Sequence, residues 1–361
     1  MKARGGPTFS QQDWPSFRSP IDSCDCRRKT CNFAGACEHP WPTSGSGGST
    51  GLGGRGVVKV LVTGVRGFIG SAVACAAHAG GHDVVGVDRS RYGRSLPEGL
   101  EVIEGDITRP AAWLGAFENV DVVVHSAAIH HAEQIANEPV RSIDTNLRGT
   151  RQMLASAASS NVRRFVFISS GKIYGEPLSC PSSEDDLLNP VEPYGLAKAM
   201  SEQYCKYYAA RSSMRCVSIR PFSVYGPGQD LTAGYIGQLI EAALTRRPVT
   251  LSGRPDFVRD FVHVDDVAKV CLAAAEDDQP FDVVNAGSGR GTILSDLVSE
   301  LARACGHNID VRYRTARAGT IERTLADVRR ELPLLGRPPM SLRSGLQQTI
   351  ESFAQAQSAV A

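Results

Sequence analysis

The chain has 361 residues, 42% of them hydrophobic, with 39 Lys and Arg set against 38 Asp and Glu for a formal charge of +1. Such a composition suits a globular protein with a full core and excludes disorder over most of the length. The even charge gives no footing for nucleic acid or an anionic membrane, and no apolar run approaches the roughly 18 to 20 residues of a bilayer span. No secretory signal pattern is seen, so the expectation is a soluble cytoplasmic protein with a small-molecule ligand, no nucleic acid and no membrane partner.

Residues 1–56 are rich in Gly, Ser, Pro and Arg, show no hydrophobic period, and close in a Gly/Ser run from Ser44. They read as a disordered extension, or as a misassigned leader ahead of a true start near Val57. Within them Cys24, Cys26, Cys31 and Cys37, with His39 behind, are spaced C-x-C-x4-C-x5-C. That spacing lacks the paired C-x2-C knuckles of a zinc site, so no metal is expected. The other six of the ten cysteines are scattered singly and read as buried thiols in a reducing compartment.

From Val57 onward short β-branched runs alternate with Ala-rich segments of helical length, the pattern of βαβ units and a parallel sheet. Strands are predicted near Val58–Val62, Asp83–Val87, Glu101–Ile103, Val120–His125, Arg164–Ser169 and Cys216–Arg220. Helices are predicted near Gly67–Ala79, Val140–Ser160 and Tyr194–Ala210. Beyond Pro221 the pattern predicts helices near Tyr235–Thr245, Val264–Ala275 and Ile293–Cys305, short strands near Val249–Leu251 and Asp282–Asn285, and a frayed end from Gln355. The fold class is α/β: a doubly wound parallel sheet of the Rossmann type over 57–225, intertwined with a smaller C-terminal substrate-binding α/β lobe over 226–361.

The first strand runs into Gly64-Val65-Arg66-Gly67-Phe68-Ile69-Gly70, a G-x-x-G-x-x-G turn that opens a helix. Glycines there permit a tight turn, approach of backbone to a pyrophosphate, and close helix packing, while the helix N-terminus favours the phosphate charge. Asp88, at the end of the second strand, is placed to take the adenosine ribose diol. It also opposes a 2′-phosphate, so NAD is preferred; Arg66 and Arg89 keep NADP as the alternative.

Tyr194 and Lys198 stand four apart on a predicted helix, so the ammonium can lie beside the phenol and favour its phenolate. That makes a proton acceptor for an alcohol undergoing oxidation. The pair follows a buried strand that ends in hydroxyls at the carboxyl edge of the sheet, where Ser170 can donate to the same oxygen or merely cap the strand. Arg259 and Arg317, in the later lobe, have the fork geometry for a diphosphate, although either taken singly is as well read as a solvated surface charge or a partner for an acid such as Asp260.

These residues together resemble the extended short-chain dehydrogenase/reductases, in their NAD-dependent nucleotide-sugar epimerase/dehydratase group, over Val57 to about Phe353. The T-G-x-x-G-F-I-G motif falls on Thr63–Gly70, H-x-A-A on His125-Ser126-Ala127-Ala128, and Y-G on Tyr174-Gly175. R-P-x-x-x-Y-G-P spans Arg220–Pro227, an R-D-F-x-x-V segment begins at Arg259, and a late R-x-G is Arg317-Ala318-Gly319. The resemblance implies catalysis by Ser170, Tyr194 and Lys198. It implies cofactor binding by Gly64, Arg66, Gly67, Phe68, Ile69, Gly70, Asp88, Arg89, Asp106, Ile107, Ala127, Ala128, Asn146, Tyr194 and Lys198. Substrate contacts fall on Lys172, Ser223, Arg259 and Arg317, with a sugar nucleotide as substrate.

Departures narrow the choice. The Asp-Glu pair that follows the catalytic residue in sugar 4,6-dehydratases is Gly171-Lys172 here, which disfavours dehydration, and decarboxylation with it. Lys172 either meets a substrate carboxylate or keto oxygen or points to solvent; Ser223 replaces a common Asn and Thr320 a common Asp. The expected activity is C4 epimerisation of an NDP-hexose through a transient 4-keto sugar. The alternatives are a 4-keto-6-deoxyhexose reductase using NADPH and a non-catalytic dinucleotide-binding protein. The resemblance also implies a homodimer built on the helices at Val140–Ser160 and Tyr194–Ala210.

Overall fold

The computed structural model describes residues 57–90, 93–94, 96–276, 283–316 and 320–358. Cys24, Cys26, Cys31, Cys37 and His39, and also Arg317, lie outside the described residues. The first half of the chain builds β1 (Lys59–Thr63), α1 (Phe68–Ala79), β2 (Asp83–Asp88), β3 (Glu101–Glu104) and β4 (Val122–His125). After β4 come α2 (Ala132–Asn137), α3 (Pro139–Ile143), α4 (Thr150–Ser159), β5 (Arg164–Ile168), α5 (Pro193–Ala209) and β6 (Arg215–Pro221).

These strands are apolar on both sides because both faces of the sheet are covered, as a parallel sheet requires. Val60 and Val62 of β1 pack with Val73, Ala74 and Ala77 of α1, whereas Leu61 packs on the opposite face with Met153, Leu154 and Ala157 of α4. The sheet has seven strands in the order β10-β6-β5-β4-β1-β2-β3, all parallel. Strand order reverses between β1 and β4, and at that switch point Thr63 lies beside His125.

The seventh strand corrects the sequence reading. The pattern predicts the run near Asp282–Asn285 in the smaller lobe, but β10 (Val283–Ala286) pairs with β6 and completes the large sheet. The reason is its burial: all four residues are enclosed, and Asn285 satisfies its amide on the carbonyls of Ser182 and Asp327. Helix α7 (Val264–Glu276) likewise packs against α1. The segment 226–361 therefore returns one strand and one helix to the first layer.

The helix expected over Val140–Ser160 is not continuous. A π-helical stretch, Asp144–Gly149, separates α3 from α4. Two polar interactions accompany the break: the Asn146 side chain bonds Ile129, and Thr150 Oγ1 donates 2.8 Å to the Asn146 carbonyl.

The rest of the later chain forms the smaller lobe, from β7 (Ser223–Tyr225), α6 (Gly234–Thr245), β8 (Val249–Ser252), β9 (Val258–His263), β11 (Gly291–Ile293), α8 (Leu294–Cys305) and β12 (Val311–Arg314). Helices α9 (Glu331–Leu335) and α10 (Leu342–Ser358) end the described chain. Strands β7, β9, β11 and β12 and helices α2, α9 and α10 were not anticipated. Gln355–Ser358, expected to fray, continue α10. The lobe core gathers Tyr225, Leu239, Phe257, Phe261, Leu297 and Leu346.

One buried ion pair joins several of these elements. Arg220 of β6 donates Nε to Glu202 Oε1 at 3.0 Å and Nη2 to Oε2 at 2.7 Å, with the two side chains 3% and 1% exposed. Arg220 Nη1 also donates to Tyr174 Oη, which donates to Asn285 Oδ1 on β10. Burial opposes the guanidinium charge, but Glu202 outweighs it and raises the arginine above its ordinary range. Glu202→Ala leaves that charge buried and unmatched, with an expected loss of about 3–5 kcal/mol in urea unfolding. Glu202→Gln, which keeps an acceptor, is expected to lose less.

Candidate active site

The Gly-rich turn sits at the switch point. Gly64 has φ +65°, and a Cβ there would lie 2.8 Å from Ala127 Cα; one at Gly70 would lie 2.1 Å from the Gly64 carbonyl. The turn, the loop after β4 and the start of α1 are thus in mutual contact only because side chains are missing. No side chain caps the first amides of α1, whose N-cap is Gly67, so they are available to an anion. The cradle fits the pyrophosphate of a dinucleotide.

Asp88 ends β2 with its carboxylate accepting from Arg66 N at 2.9 Å and Ser90 N at 3.2 Å, which fixes it beside the turn. Arg66 Nη1 donates to the Arg94 carbonyl at 3.3 Å, and Arg89 is exposed. Asp106 accepts from Thr108 N and Oγ1; burial works against its charge, but these bonds and the charges of Arg89 and Arg109 hold it below the usual carboxylate range. Ile107 is buried beside it. Phe68 and Ile69 are half-buried at the start of α1, as are Ala127 and Ala128 after β4.

Asn146 is placed differently from its expected cofactor role. Its amide accepts from Ile129 N at 2.7 Å and donates to Ile129 O at 2.8 Å, so it pins the loop that carries Ala127 and Ala128 instead of facing a ligand. A second pin was not foreseen. Thr150 Oγ1 donates to Asn146 O, so it accepts from His125 Nε2 at 3.0 Å, and the bare Nδ1 accepts from Thr63 Oγ1 at 2.6 Å. Thr63 Oγ1 in turn accepts from Ala127 N. His125 is pushed down to about 3 by burial, with Lys198 adding to it, and therefore stays a neutral link in this chain.

At the carboxyl end of β5, Ser170 is extended and its Oγ accepts from Lys172 N at 3.2 Å, capping the turn Gly171–Tyr174. The hydroxyl proton remains available to donate. Pro193 begins α5, one residue ahead of Tyr194. Lys198 is 2% exposed, donates Nζ to Ile168 O at 2.6 Å, and lies 5.7 Å from the Tyr194 ring centroid. The structure thus brings Ser170, Tyr194 and Lys198 to one edge of the sheet.

Their electrostatics correct the expected lowering of the phenol. Burial first, then the Glu192 carboxylate, raise Tyr194 above the ordinary tyrosine range. Burial brings Lys198 down to about 7 against the pull of Cys205 and Glu202. The sequence places the ammonium near the ring but does not reveal how little water either group sees. Lys172 lies toward solvent, as one of its two readings expected, and its Nζ also bonds Glu192 Oε2 at 2.8 Å, a partner the sequence does not announce.

In the smaller lobe Arg259 is 8% exposed and commits its guanidinium to the carbonyls of Val258, Glu322 and Ile321, at 2.8, 2.9 and 2.6 Å. It lies over the rings of Tyr235 and Phe257. In this arrangement it ties β9 to Ile321 and Glu322, contacts that the expected diphosphate role did not foresee. Ser223 opens β7, half-buried opposite Phe261. Sequence reading missed Glu192, His130 and Glu202; the last was detectable, since Tyr194, Lys198 and Glu202 fall at successive i+4 positions. Among the described residues no group of His, Cys, Asp and Glu is arranged to hold a metal ion.

Gly64→Ala would force a Cβ against Ala127 at a positive φ. The expected result is a protein purified without dinucleotide and destabilised by about 1–3 kcal/mol, read from nucleotide content and thermal unfolding.

Residues 60–287 match the NAD dependent epimerase/dehydratase family. The UDP-glucose 4-epimerase of Mycolicibacterium smegmatis is 32% identical over 308 residues, covering 82% of this chain and 98% of that protein. Among solved structures, MoeE5 in complex with UDP-glucose and NAD superposes with a TM-score of 0.77 at 34% identity, over 83% of this chain and 99% of its own. The UDP-glucose 4-epimerase of Thermotoga maritima, solved with UDP-glucose, gives a TM-score of 0.79 at 31% identity, over 83% of this chain and 100% of its own. The chain belongs to the NAD-dependent epimerase/dehydratase family and is an enzyme with its Rossmann fold.

Proposed function

We infer that this enzyme is an NAD-dependent sugar-nucleotide 4-epimerase that inverts C4 of a UDP-hexose through a transient 4-keto sugar. The observation that carries this reading is the Tyr194 and Lys198 pair on the first turns of α5, beside Ser170, in a chain whose relatives include UDP-glucose 4-epimerases. Gly64–Gly70, Asp88, Asp106, Ile107, Ala127 and Ala128 would hold the dinucleotide, and Lys198 its ribose. When bound, NAD supplies a reversible acceptor for the hydride on C4.

Tyr194 takes the proton of the 4-hydroxyl as the carbon is oxidised and returns it once the flat ketone has presented its other face. Burial opposes the first of these proton transfers and favours the return, where the phenol acts as the acid. Ser170, its Oγ already accepting from Lys172 N, donates its own proton to the substrate oxygen and keeps it in line with Tyr194. Nothing is oxidised overall, so no external oxidant is required. Gly171 and Lys172 leave no carboxylate in the two positions after Ser170 to carry a dehydration.

The enzyme works as a homodimer in this reading. Leu196, Met200 and Tyr207 form an exposed stripe along α5, 52%, 44% and 50% exposed, and Val140 and Ile143 of α3 are 72% and 53% exposed. No helix among the described residues is long and apolar enough to cross a membrane. Of the six cysteines expected to be buried, Cys205, Cys216 and Cys271 are, whereas Cys75 and Cys180 are exposed and Cys305 is half-buried; the neighbouring Cys205 and Cys216 remain thiols, which supports a reducing, cytoplasmic setting.

Tyr194→Phe is expected to lower turnover of UDP-glucose to UDP-galactose by about a hundredfold to ten-thousandfold while bound NAD is retained. A near-normal rate would defeat the assignment. Met200→Glu places a charge in the proposed dimer seam and should convert a dimer to a monomer in sedimentation velocity; a parent protein that sediments as a monomer removes this interface.

A further inference from the structure

The tyrosine has a second ammonium beside it. Lys172 Nζ lies 5.9 Å from the Tyr194 ring centroid, nearly the same distance as Lys198 Nζ at 5.7 Å, and is tethered by Glu192 Oε2 at 2.8 Å. The two elements that carry the pair are in backbone contact, since a Cβ on Gly195 would lie 2.9 Å from the Lys172 carbonyl. The Ser170 cap also ends on Lys172 N, so the same short turn fixes the serine and the lysine. On the α5 side, Glu192 is the N-cap residue, two positions before Tyr194.

We propose that Lys172 and Glu192 form a positioning charge pair for Tyr194, in which Lys172 is a second cation favouring the phenolate and Glu192 both holds and offsets it. The proposal rests on the epimerase reading above. Three charged groups lie around the Tyr194 ring, Lys198 from α5, Glu192 at its N-cap and Lys172 from the turn after β5, while His130, on the loop after β4, senses the two lysines. His130 is pushed down to about 4 by burial and by the charges of His131, Lys198 and Lys172, against Asp230, and so brings no charge at neutral pH. Lys198, brought down to about 7 by burial, is only partly an ammonium there. The outer pair lies at the rim, with side chains 44% and 38% exposed, within reach of the Tyr194 ring.

The two members should act with opposite sign. Removing the anion leaves Lys172 unopposed and eases loss of the phenol proton; removing the cation leaves Glu192 unopposed and hinders it. The test is the pH dependence of epimerisation by the holoenzyme, with UDP-glucose as substrate, for Glu192→Gln, Lys172→Gln, Lys172→Arg and the double variant. The acidic limb should move down by about half to one pH unit in Glu192→Gln and up by a similar amount in Lys172→Gln. Lys172→Arg and the double variant should stay near the parent.

Shifts of the same sign in the two single variants, or no shift in either, would overturn the proposal. An ultraviolet difference titration of tyrosinate, with Tyr194→Phe as the blank, gives the same midpoints without turnover. If UDP-glucose is not epimerised at all, the function falls, and the opposed shifts of this titration still decide the charge pair.

Discussion

The ion pair between Glu202 and Arg220 is the constraint on which the active site depends. Glu202 lies two helical turns beyond Tyr194 and one beyond Lys198, so the bond that fixes α5 against β6 also fixes the height of the tyrosine above the sheet edge. Through Tyr174 the same guanidinium reaches Asn285 on β10. An apolar pair of equal volume could give comparable stability, because desolvation offsets most of the attraction. What the charged pair adds is register: a bidentate contact has one geometry, whereas leucine against leucine has several.

Much of this enzyme was legible in its sequence, and what was not has a common cause. The strands, the Gly-rich turn and the Tyr194 and Lys198 pair are local patterns, readable within about twenty residues. The carbonyl contacts of Arg259 were not legible because a guanidinium fits phosphate oxygens and backbone carbonyls equally well, and only the fold brings Ile321 and Glu322 to it. Asn146 was misjudged for the same reason. Its amide fits a ligand or a peptide group, and the fold supplies Ile129. Lys172 found Glu192, twenty residues away across a loop that no periodicity describes.

The phenol shows a different limit. Spacing on a helix predicts which charges are near Tyr194, but a pKa depends as much on excluded water as on neighbours. Burial raises the tyrosine and lowers Lys198. The gap between their affinities for a proton is thereby wider than in water, which leaves the finer adjustment to groups at the rim. Beneath them the floor is fixed. Thr63, His125, Thr150 and Asn146 join β1, β4 and the π-helical stretch by hydrogen bonds with a single consistent direction. That direction leaves His125 as the Nε2–H tautomer, so the floor neither takes up nor releases protons in the reaction proposed for Tyr194.

The late arrival of β10 has a consequence for how the chain is made. Until residues 283–286 are available, the outer edge of β6 is an unpaired parallel strand that is buried in the finished protein from Cys216 to Pro221, and Arg220 on it lacks the link through Tyr174 to Asn285. On a ribosome, the nucleotide-binding layer can be nearly complete in sequence while still displaying an adhesive edge. A chain ending at Tyr225 would retain every glycine of the dinucleotide turn yet remain an open template for association. The division of labour between two lobes is thus a feature of the finished protein and not of its folding, which must wait for the second lobe to close the first.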